Sequence, residues 1–258
     1  MTKPIFVDSH AHLQDDKFSD DLDDVIREAL DCGVDKILAP GTDLKDSRLG
    51  VEISEKHASV YAAVGIHPHL AAETGADTIK QIKELSQSPK VIAIGEIGLD
   101  YYYDFAPREK QKEIFIKQIE LALEQDLPMV VHSRSSLDDI FSIMDQTGGW
   151  EAGGVFHCFP GELDQAMYII DKGMSVSYTG IITFKKASRV RSIVRDIPIE
   201  HLLIETDSPY MAPEPYRGKR NNPSLVRTVA EKIAEIKDMP VEDVARITTE
   251  NFNTIFKI

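Results

Sequence analysis

Six side chains of the kinds that bind metal ions stand at or just beyond the ends of short apolar segments in this sequence. The segments have the composition of buried strands, as in PMVV and LLIE. Imidazole and carboxylate groups together suit divalent cations, and these group types alone do not choose among zinc, manganese, magnesium and iron. The six residues are His10, His12, Glu96, His132, His157 and Asp207.

Apolar segments and amphipathic segments alternate along the 258 residues without a break. The apolar segments predict eight strands, at Ile5–Asp8, Lys36–Ala39, Val60–Val64, Val91–Ile94, Pro128–Val131, Gly154–Phe156, Met174–Tyr178 and Leu202–Glu205. The other segments predict helices, at Asp20–Cys32, Ser47–His57, Thr78–Leu85, a helix with Pro107 in its first turn, and then Leu137–Gln146, Glu162–Lys172, Arg189–Asp196, Ser224–Lys237 and Val241–Phe256. Eight strand–helix units predict an α/β fold, the (β/α)8 TIM barrel, which commonly takes about 250 residues. No linker rich in Gly, Ser or Pro divides the chain, so we expect one domain over residues 1–258.

The carboxyl ends of the eight strands in such a barrel meet at one mouth, where barrel enzymes have their active sites. The six candidate residues follow strands one, four, five, six and eight, so the fold would bring them together. A single strand-end histidine is more often a hydrogen-bonded core or loop residue than a ligand. Gathering four histidines and two carboxylates without a metal ion would, however, bury titratable groups at a high cost. The sequence therefore predicts a metal site.

Composition limits the classes of partner. A formal charge of −14 and a pI near 5.0 argue against a broad basic face for nucleic acid, although a local phosphate site is compatible with them. No apolar run approaches the roughly 18–20 residues that span a bilayer, and the apolar stretch at the N-terminus is too short for a signal peptide. Two cysteines, Cys32 and Cys158, make no disulfide framework. We expect a cytoplasmic protein with no membrane partner and no obligate protein partner.

Eight short motifs, taken jointly, closely resemble those of the TatD family of metal-dependent deoxyribonucleases, which is related to the amidohydrolase barrels. The resemblance runs from residue 8 to about residue 222 and shows no departure at any of the six candidate positions. The motifs are DSHAHL, GIHPH, GEIGLDYY, HSR, FHCF, ITFKKA, ETDSPY and PYRGKRN.

The resemblance implies an amidohydrolase-like barrel that holds two divalent ions, with zinc, manganese, magnesium, iron and nickel as candidates. One ion would be held by His10, His12 and Asp207, and the other by His132 and His157, with Glu96 between them. Two such ions can activate water and clamp the attacking and leaving oxygens of a phosphodiester. Asp207 and Glu96 would be the catalytic residues, and Asp207 would orient the water and accept its proton.

Basic residues follow strands seven and eight, where barrel enzymes frequently bind phosphate. Because the guanidinium fork suits bidentate phosphate contact, Arg217 is the first candidate and Arg220 the second. Lys185 is a further candidate, with a role in a solvated charged surface as the alternative. His67, by resemblance, would contact a substrate phosphate, or else serve the turn beside Pro68. Arg134 would contact substrate or pair with a loop carboxylate.

Three tyrosines, Tyr101, Tyr102 and Tyr103, follow the GEIGLD segment. Such rings can stack on a nucleic-acid base, although loop aromatics more often pack against the barrel rim. Glu205 lies two residues before Asp207 and is a candidate partner for a ligand histidine.

The leading hypothesis is a metal-dependent phosphodiesterase of the TatD type that cleaves DNA, from a strand end. A second hypothesis keeps the metal-dependent hydrolase but changes the bond to an ester or amide, as in removal of D-aminoacyl groups from tRNA. A third is a non-enzymatic, metal-stabilised binding protein. The ligand set disfavours the third, because structural zinc needs only four closed ligands and no phosphate cluster.

Overall fold

The computed structural model describes residues 4–258, in which eight strands and nine α-helices alternate. The strands are β1 (Phe6–Asp8), β2 (Val34–Pro40), β3 (Val60–Val64), β4 (Val91–Asp100), β5 (Met129–Arg134), β6 (Gly154–Phe156), β7 (Ser175–Tyr178) and β8 (Leu202–Ile204). The helices are α1 (Leu22–Asp31), α2 (Leu44–Lys56), α3 (Thr78–Leu85), α4 (Arg108–Gln125), α5 (Leu137–Thr147), α6 (Leu163–Asp171), α7 (Ser188–Asp196), α8 (Val226–Lys237) and α9 (Val241–Phe256). The expected domain also includes residues 1–3, which lie outside the described part.

The eight strands are parallel and neighbour one another in sequence order, which confirms the predicted (β/α)8 barrel. The barrel is nearly closed between its first and last strands. The backbone N–H and the hydroxyl of Ser9 both donate to the carbonyl of Ile204, at 3.1 and 3.0 Å. Beyond them, the buried carboxylate of Asp8 accepts from the backbone N–H and the hydroxyl of Thr206, at 2.8 and 2.5 Å. Side-chain hydrogen bonds therefore complete the closure where the backbone ladder ends.

Two apolar clusters lie on the two sides of the sheet, because alternate strand residues face opposite sides. The larger cluster packs the strands against the surrounding helices. The smaller contains Val7, Leu38 and Val130 together with Phe252 and Phe256 of α9. Within residues 4–258, no helix combines the length and the apolar character that crossing a lipid bilayer requires.

Several predicted boundaries differ from those observed. β4 extends to Asp100, well past the predicted end at Ile94, because it continues to pair with β5 as far as Arg134. Glu96 and His132 therefore lie inside strands. α2 begins at Leu44, before the predicted start, because the carboxylate of Asp43 accepts from the N–H of Asp46 at 2.7 Å and caps the helix. α8 begins later than predicted because Pro223–Leu225 form a separate 3-10 turn.

Glu96 is the extra residue of a β-bulge in β4. Gly95 pairs with Val130 and Ile97 with Val131, so Glu96 has no partner in the β4–β5 register. Bulges re-aim side chains and are frequent beside active sites. The glycine at 98 permits the close approach of β4 to β5, because its φ is +140° and a Cβ there would lie 2.0 Å from the carbonyl oxygen of His132.

We therefore expect Gly98→Ala to lower the free energy of unfolding by about 3 kcal/mol, because β5 must move away from the new methyl group. Urea unfolding followed by circular dichroism measures the change. Gly75→Ala is the matched control: Gly75 is exposed, has no positive φ, and meets its nearest atom at 3.5 Å. Equal effects of the two substitutions would contradict the proposed packing of β4 on β5.

Candidate metal centre

The loops after β1 and β8 are joined by backbone hydrogen bonds, which place their side chains together. The N–H of Asp207 donates to the carbonyl of His10 at 2.9 Å, and the N–H of His12 donates to the carbonyl of Ser208 at 2.8 Å. These two bonds bring the His-x-His pair of one loop against the carboxylate of the other. Residues nearly two hundred positions apart in sequence thus share one end of the barrel.

Four of the six candidate side chains form a first donor group. Nε2 of His10 and Nε2 of His12 lie 3.2 Å apart. Oε2 of Glu96 lies 3.3 and 3.7 Å from these two nitrogens. Oδ1 of Asp207 lies 3.9 and 3.4 Å from the same two atoms.

The other oxygen of Glu96 faces a second donor group. Nδ1 of His132 and Nε2 of His157 lie 2.9 and 2.8 Å from Oε1, and 3.3 Å from each other. The rings of His10 and His157 stack with centroids 4.0 Å apart, so the two groups adjoin. The structure thus brings all six predicted side chains to one mouth, with a buried glutamate between two sets of donors.

The donor spacing fits divalent cations. Ligand atoms about 2.0–2.1 Å from a tetrahedral zinc ion are roughly 3.4 Å from one another, close to the separations within each group. The tautomer of His132 also fits metal binding. Nε2 of His132 lies 3.1 Å from the carboxylate of Asp100, which leaves the lone pair on Nδ1 turned toward Glu96. A lone pair facing a carboxylate oxygen at such a distance is repulsive unless a metal cation or a second proton on the ring lies between the two atoms.

The electrostatics of the cluster favour ionised carboxylates. Burial by itself would raise the pKa of Glu96, but His157, His67 and the other imidazoles around it lower this pKa well below its usual range. Burial by itself would raise the pKa of Asp207, but the hydrogen bond from His12 and the charges of His12, His10 and His157 together lower it. Both groups therefore carry negative charge at neutral pH, as ligands of a cation must.

The histidines differ in their proton affinity. Burial lowers the pKa of His10, and the neighbouring His157 lowers it further. The pKa of His157 is raised well above its usual range, because Glu96 and Glu205 outweigh burial. The pKa of His132 is raised as well, since its hydrogen bonds to Asp100 and Glu96 oppose burial. Protons and metal ions therefore compete for the second donor group.

Asp100 is a functional residue that the sequence analysis missed. Its buried carboxylate accepts from Nε2 of His132 at 3.1 Å and from Nε2 of His69 at 2.9 Å, which fixes both rings. The sequence feature that could have identified Asp100 is the alternation of side chains along a strand, since positions 96, 98 and 100 share one side of β4. Because β4 was predicted to end at Ile94, this alternation was not followed as far as Asp100.

Glu205 lies beside a ligand candidate, as the sequence predicted. Oε1 of Glu205 lies 3.5 Å from Nδ1 of His157 and accepts from the N–H of Cys158 at 2.7 Å, while Oε2 accepts from the hydroxyl of Ser177 at 2.6 Å. Through these contacts, Glu205 connects β6, β7 and β8 behind the second donor group. The neighbouring Cys158 thiol stays protonated, because burial raises its pKa to about 12.

Three residues within three positions of the carboxyl end of a strand have left-handed backbones although none is glycine. They are Ser135 after β5, Cys158 after β6 and Asp207 after β8, with φ of 56°, 42° and 54°. Such conformations cost about 1–3 kcal/mol each and persist only where the surroundings fix them. Their position at the strand exits agrees with strain held at a functional site.

His67 lies closer to the centre than the sequence indicated. Its Nδ1 accepts from the N–H of His69 at 3.2 Å, so the turn role beside Pro68 is present. Its Nε2 then carries the proton and lies 3.4 Å from Oε1 of Glu96. Burial lowers the pKa of His67 to about 4, so this ring is a neutral N–H donor at the edge of the second group.

The predicted basic residues have different surroundings. Arg217 and Lys185 are exposed, and the guanidinium of Arg217 lies 4.4 Å from the ring centroid of Phe184. Arg220 makes two hydrogen bonds to the carboxylate of Asp21, at 2.9 and 2.6 Å. Its fork is therefore already occupied by a carboxylate.

Among the described residues 4–258, the guanidinium of Arg134 pairs with no loop carboxylate; it stacks on two tyrosines instead. It lies 4.2 Å from the ring centroid of Tyr102 and 4.5 Å from that of Tyr103. Tyr101 packs differently, since its hydroxyl donates to Asp139 at 2.7 Å. The three consecutive tyrosines are thus divided between the barrel rim and the mouth.

Comparison with known proteins identifies the family. The family model for TatD related DNases matches residues 7–257. The chain belongs to the TatD family. It is 42% identical to the uncharacterized metal-dependent hydrolase YabD of Bacillus subtilis, over 97% of this chain and 98% of that protein. The crystal structure of the TatD homologue YjjV of Escherichia coli K12 is 30% identical, covers 98% of each chain and superposes with a TM-score of 0.93.

A further relative carries a more specific description. The 3'-5' ssDNA/RNA exonuclease TatD of Shigella flexneri is 31% identical over 97% of this chain and 98% of that protein. Together with the donor groups of the mouth, family membership makes this TatD-family protein a metal-dependent hydrolase. It weighs against the hypothesis of a non-enzymatic binding protein.

We expect Glu96→Gln to lower the affinity for divalent metal by at least about tenfold, because an amide replaces the charged carboxylate between the two donor groups. Metal analysis after dialysis, and calorimetric titration of the metal-free protein, measure the loss. Glu120→Gln, an exposed change on α4, is the control and should bind metal as the native protein does. Undiminished metal content in Glu96→Gln would exclude the bridging arrangement.

Proposed function

We propose that this TatD-family hydrolase cleaves phosphodiester bonds of DNA, beginning at a strand end, with two divalent metal ions. One observation carries the proposal: the two carboxylate oxygens of Glu96 face separate donor groups, with Oε2 toward His10 and His12 and Oε1 toward His132 and His157. Such an arrangement suits two adjacent cations, and two-metal sites are common in nucleases.

In this proposal His10, His12 and Asp207 would hold one ion, His132 and His157 would hold the other, and Glu96 would offer one carboxylate oxygen to each. Divalent ions bound there would supply Lewis acidity toward the phosphate and lower the pKa of water. Asp100 keeps Nδ1 of His132 turned inward, and Glu205 lies behind His157. The identity of the ions stays open among zinc, manganese, magnesium, iron and nickel, since all accept imidazole and carboxylate ligands to different degrees.

Asp207 is the proposed proton acceptor. Its side chain is 17% exposed, against 4% for Glu96, so it is the more accessible carboxylate of the cluster. Its lowered pKa keeps it ionised, and its backbone is fixed by the bond to His10. It can therefore orient a water molecule and take its proton while Glu96 remains buried between the donor groups.

The substrate contacts of the proposal come from several loops of the mouth. Arg217 and Lys185 are exposed cations in the loops after β8 and β7, where barrels bind phosphate. Arg220 ranks behind Arg217, because a phosphate must displace Asp21 to reach its fork. His67 offers a neutral N–H beside Glu96, and Arg134 offers a cation held on tyrosine rings.

The preference for DNA and for a strand end is supported by the family model and by the description of the Shigella flexneri relative. The more similar Bacillus subtilis relative is described only as a metal-dependent hydrolase. An ester or amide hydrolase, such as a D-aminoacyl-tRNA deacylase, is therefore the second candidate. The same donor groups would serve it, with the basic residues binding the tRNA.

We expect end-labelled single-stranded DNA to be shortened in the presence of magnesium or manganese, and Asp207→Asn to reduce the rate about a hundredfold or more. Asp126→Asn is the matched control, because Asp126 has a similar φ of 51° but is exposed at the end of α4. Metal content is measured for each variant. If DNA stays intact while an aminoacyl ester is cleaved, the second candidate replaces the first.

We expect Arg217→Ala to raise KM for a DNA substrate about tenfold, because a charged hydrogen bond to phosphate is lost. KM for an uncharged ester such as p-nitrophenyl acetate should change far less. Arg246→Ala, which removes an exposed arginine paired with Glu250 on α9, is the control. Equal losses on the two substrates would remove Arg217 from phosphate binding.

A further inference from the structure

Within residues 4–258, the exposed aromatic rings are confined to two loops of the mouth. The exposed large aromatic side chains of this described part are Tyr102, Tyr103, Phe105, Tyr210 and Tyr216. The first three follow β4 and the last two follow β8, while the other large exposed apolar side chains are aliphatic. Aromatic faces left in water at a site mouth indicate a ligand that covers them.

Three rings of the β4–α4 loop pack into one surface, which we call the aromatic platform: Tyr102, Tyr103 and Phe105. Tyr103 and Phe105 stack with centroids 5.3 Å apart and planes at 17°, and Tyr102 meets Tyr103 edge to face at 5.0 Å. Phe105 is 67% exposed and Tyr102 63% exposed in spite of this packing. The platform is ordered by its own contacts and still open to solvent.

The platform is tied to the metal centre through Asp100. Oδ1 of Asp100 accepts from the N–H groups of Tyr102 and Tyr103, both at 3.0 Å. Oδ2 of the same carboxylate accepts from His132 and His69. One buried group therefore fixes the start of the platform loop relative to a proposed metal ligand.

A cation and a cavity adjoin the platform. The guanidinium of Arg134 stacks on Tyr102 and Tyr103, and Arg134 also lines a cavity of about 590 Å³ together with Arg108. A volume of this size is within the range of ligand pockets. Aromatic faces beside arginines are the combination that binds unpaired bases and their phosphates.

We propose that the aromatic platform stacks the unpaired bases of a single nucleic-acid strand and thereby makes the enzyme selective for single-stranded ends. The identity of the ligand as a nucleic acid rests on the proposed nuclease function. The existence of a binding surface rests on the exposure of the three rings and on their contacts with one another. Base pairing in a duplex buries the faces of the internal bases against one another, so an intact duplex offers little to stack. A protein ligand for the same rings is the competing explanation, and the experiment below decides between them.

The test measures binding without cleavage. Asp207→Asn protein with manganese is titrated into a 5′-fluorescein single-stranded oligonucleotide, and into the blunt duplex of the same sequence, with fluorescence anisotropy as the readout. Asp207→Asn protein that also carries Tyr102→Ala and Phe105→Ala should bind the single strand at least about tenfold more weakly. Its affinity for the duplex should change much less. Leu30→Ala, an exposed apolar change on α1, is the control.

Rescue separates stacking from a general structural effect. In the rescue variant, Phe105→Trp replaces Phe105→Ala. This change keeps an aromatic ring at position 105 and should restore tight binding of the single strand. Unchanged single-strand binding in the double variant overturns the platform and favours a protein ligand for these rings. An equal loss on the single strand and the duplex overturns the proposed selectivity for single strands. If native protein leaves DNA intact while the platform variants weaken single-strand binding, the nuclease function fails and the platform stands.

Discussion

The buried carboxylate of Glu96 is the constraint on which the site depends. Its two oxygens are approached by imidazole nitrogens from β5 and from the loops after β1 and β6, at 2.8–3.7 Å. A buried anion is costly unless opposite charge or hydrogen bonds balance it. Glu96 is balanced here only because strands distant in sequence end at the same place. The barrel and the donor set therefore depend on each other.

Three local features of β4 position the side chain of Glu96 and its neighbours. A bulge turns Glu96 away from the ladder, a glycine at 98 lets β5 approach, and Asp100 holds the outer nitrogen of His132. The same Asp100 carboxylate anchors the loop that carries the exposed rings. Ligand orientation and substrate surface are thus set within five consecutive residues of one strand.

The sequence predicted the barrel and the meeting of six candidate side chains at its mouth, because strand composition and strand-end position are local properties. It did not predict that Glu96 sits in a bulge, since a bulge depends on the register with β5. It also missed Asp100, and it could not show that the guanidinium of Arg220 is hydrogen-bonded to the carboxylate of Asp21. These features depend on long-range neighbours. His67 was placed near the substrate, but its tautomer follows from a hydrogen bond to His69 that only the folded turn forms.

The closure between β1 and β8 has a consequence for biosynthesis. The carbonyl of His10 accepts from the N–H of Asp207, and the carboxylate of Asp8 accepts from Thr206, so each bond joins residues nearly two hundred positions apart in the sequence. A nascent chain therefore has no complete donor set until Asp207 has been synthesised. The proposed two-ion site forms only after that point, so metal availability at that stage contributes to which cation would be bound.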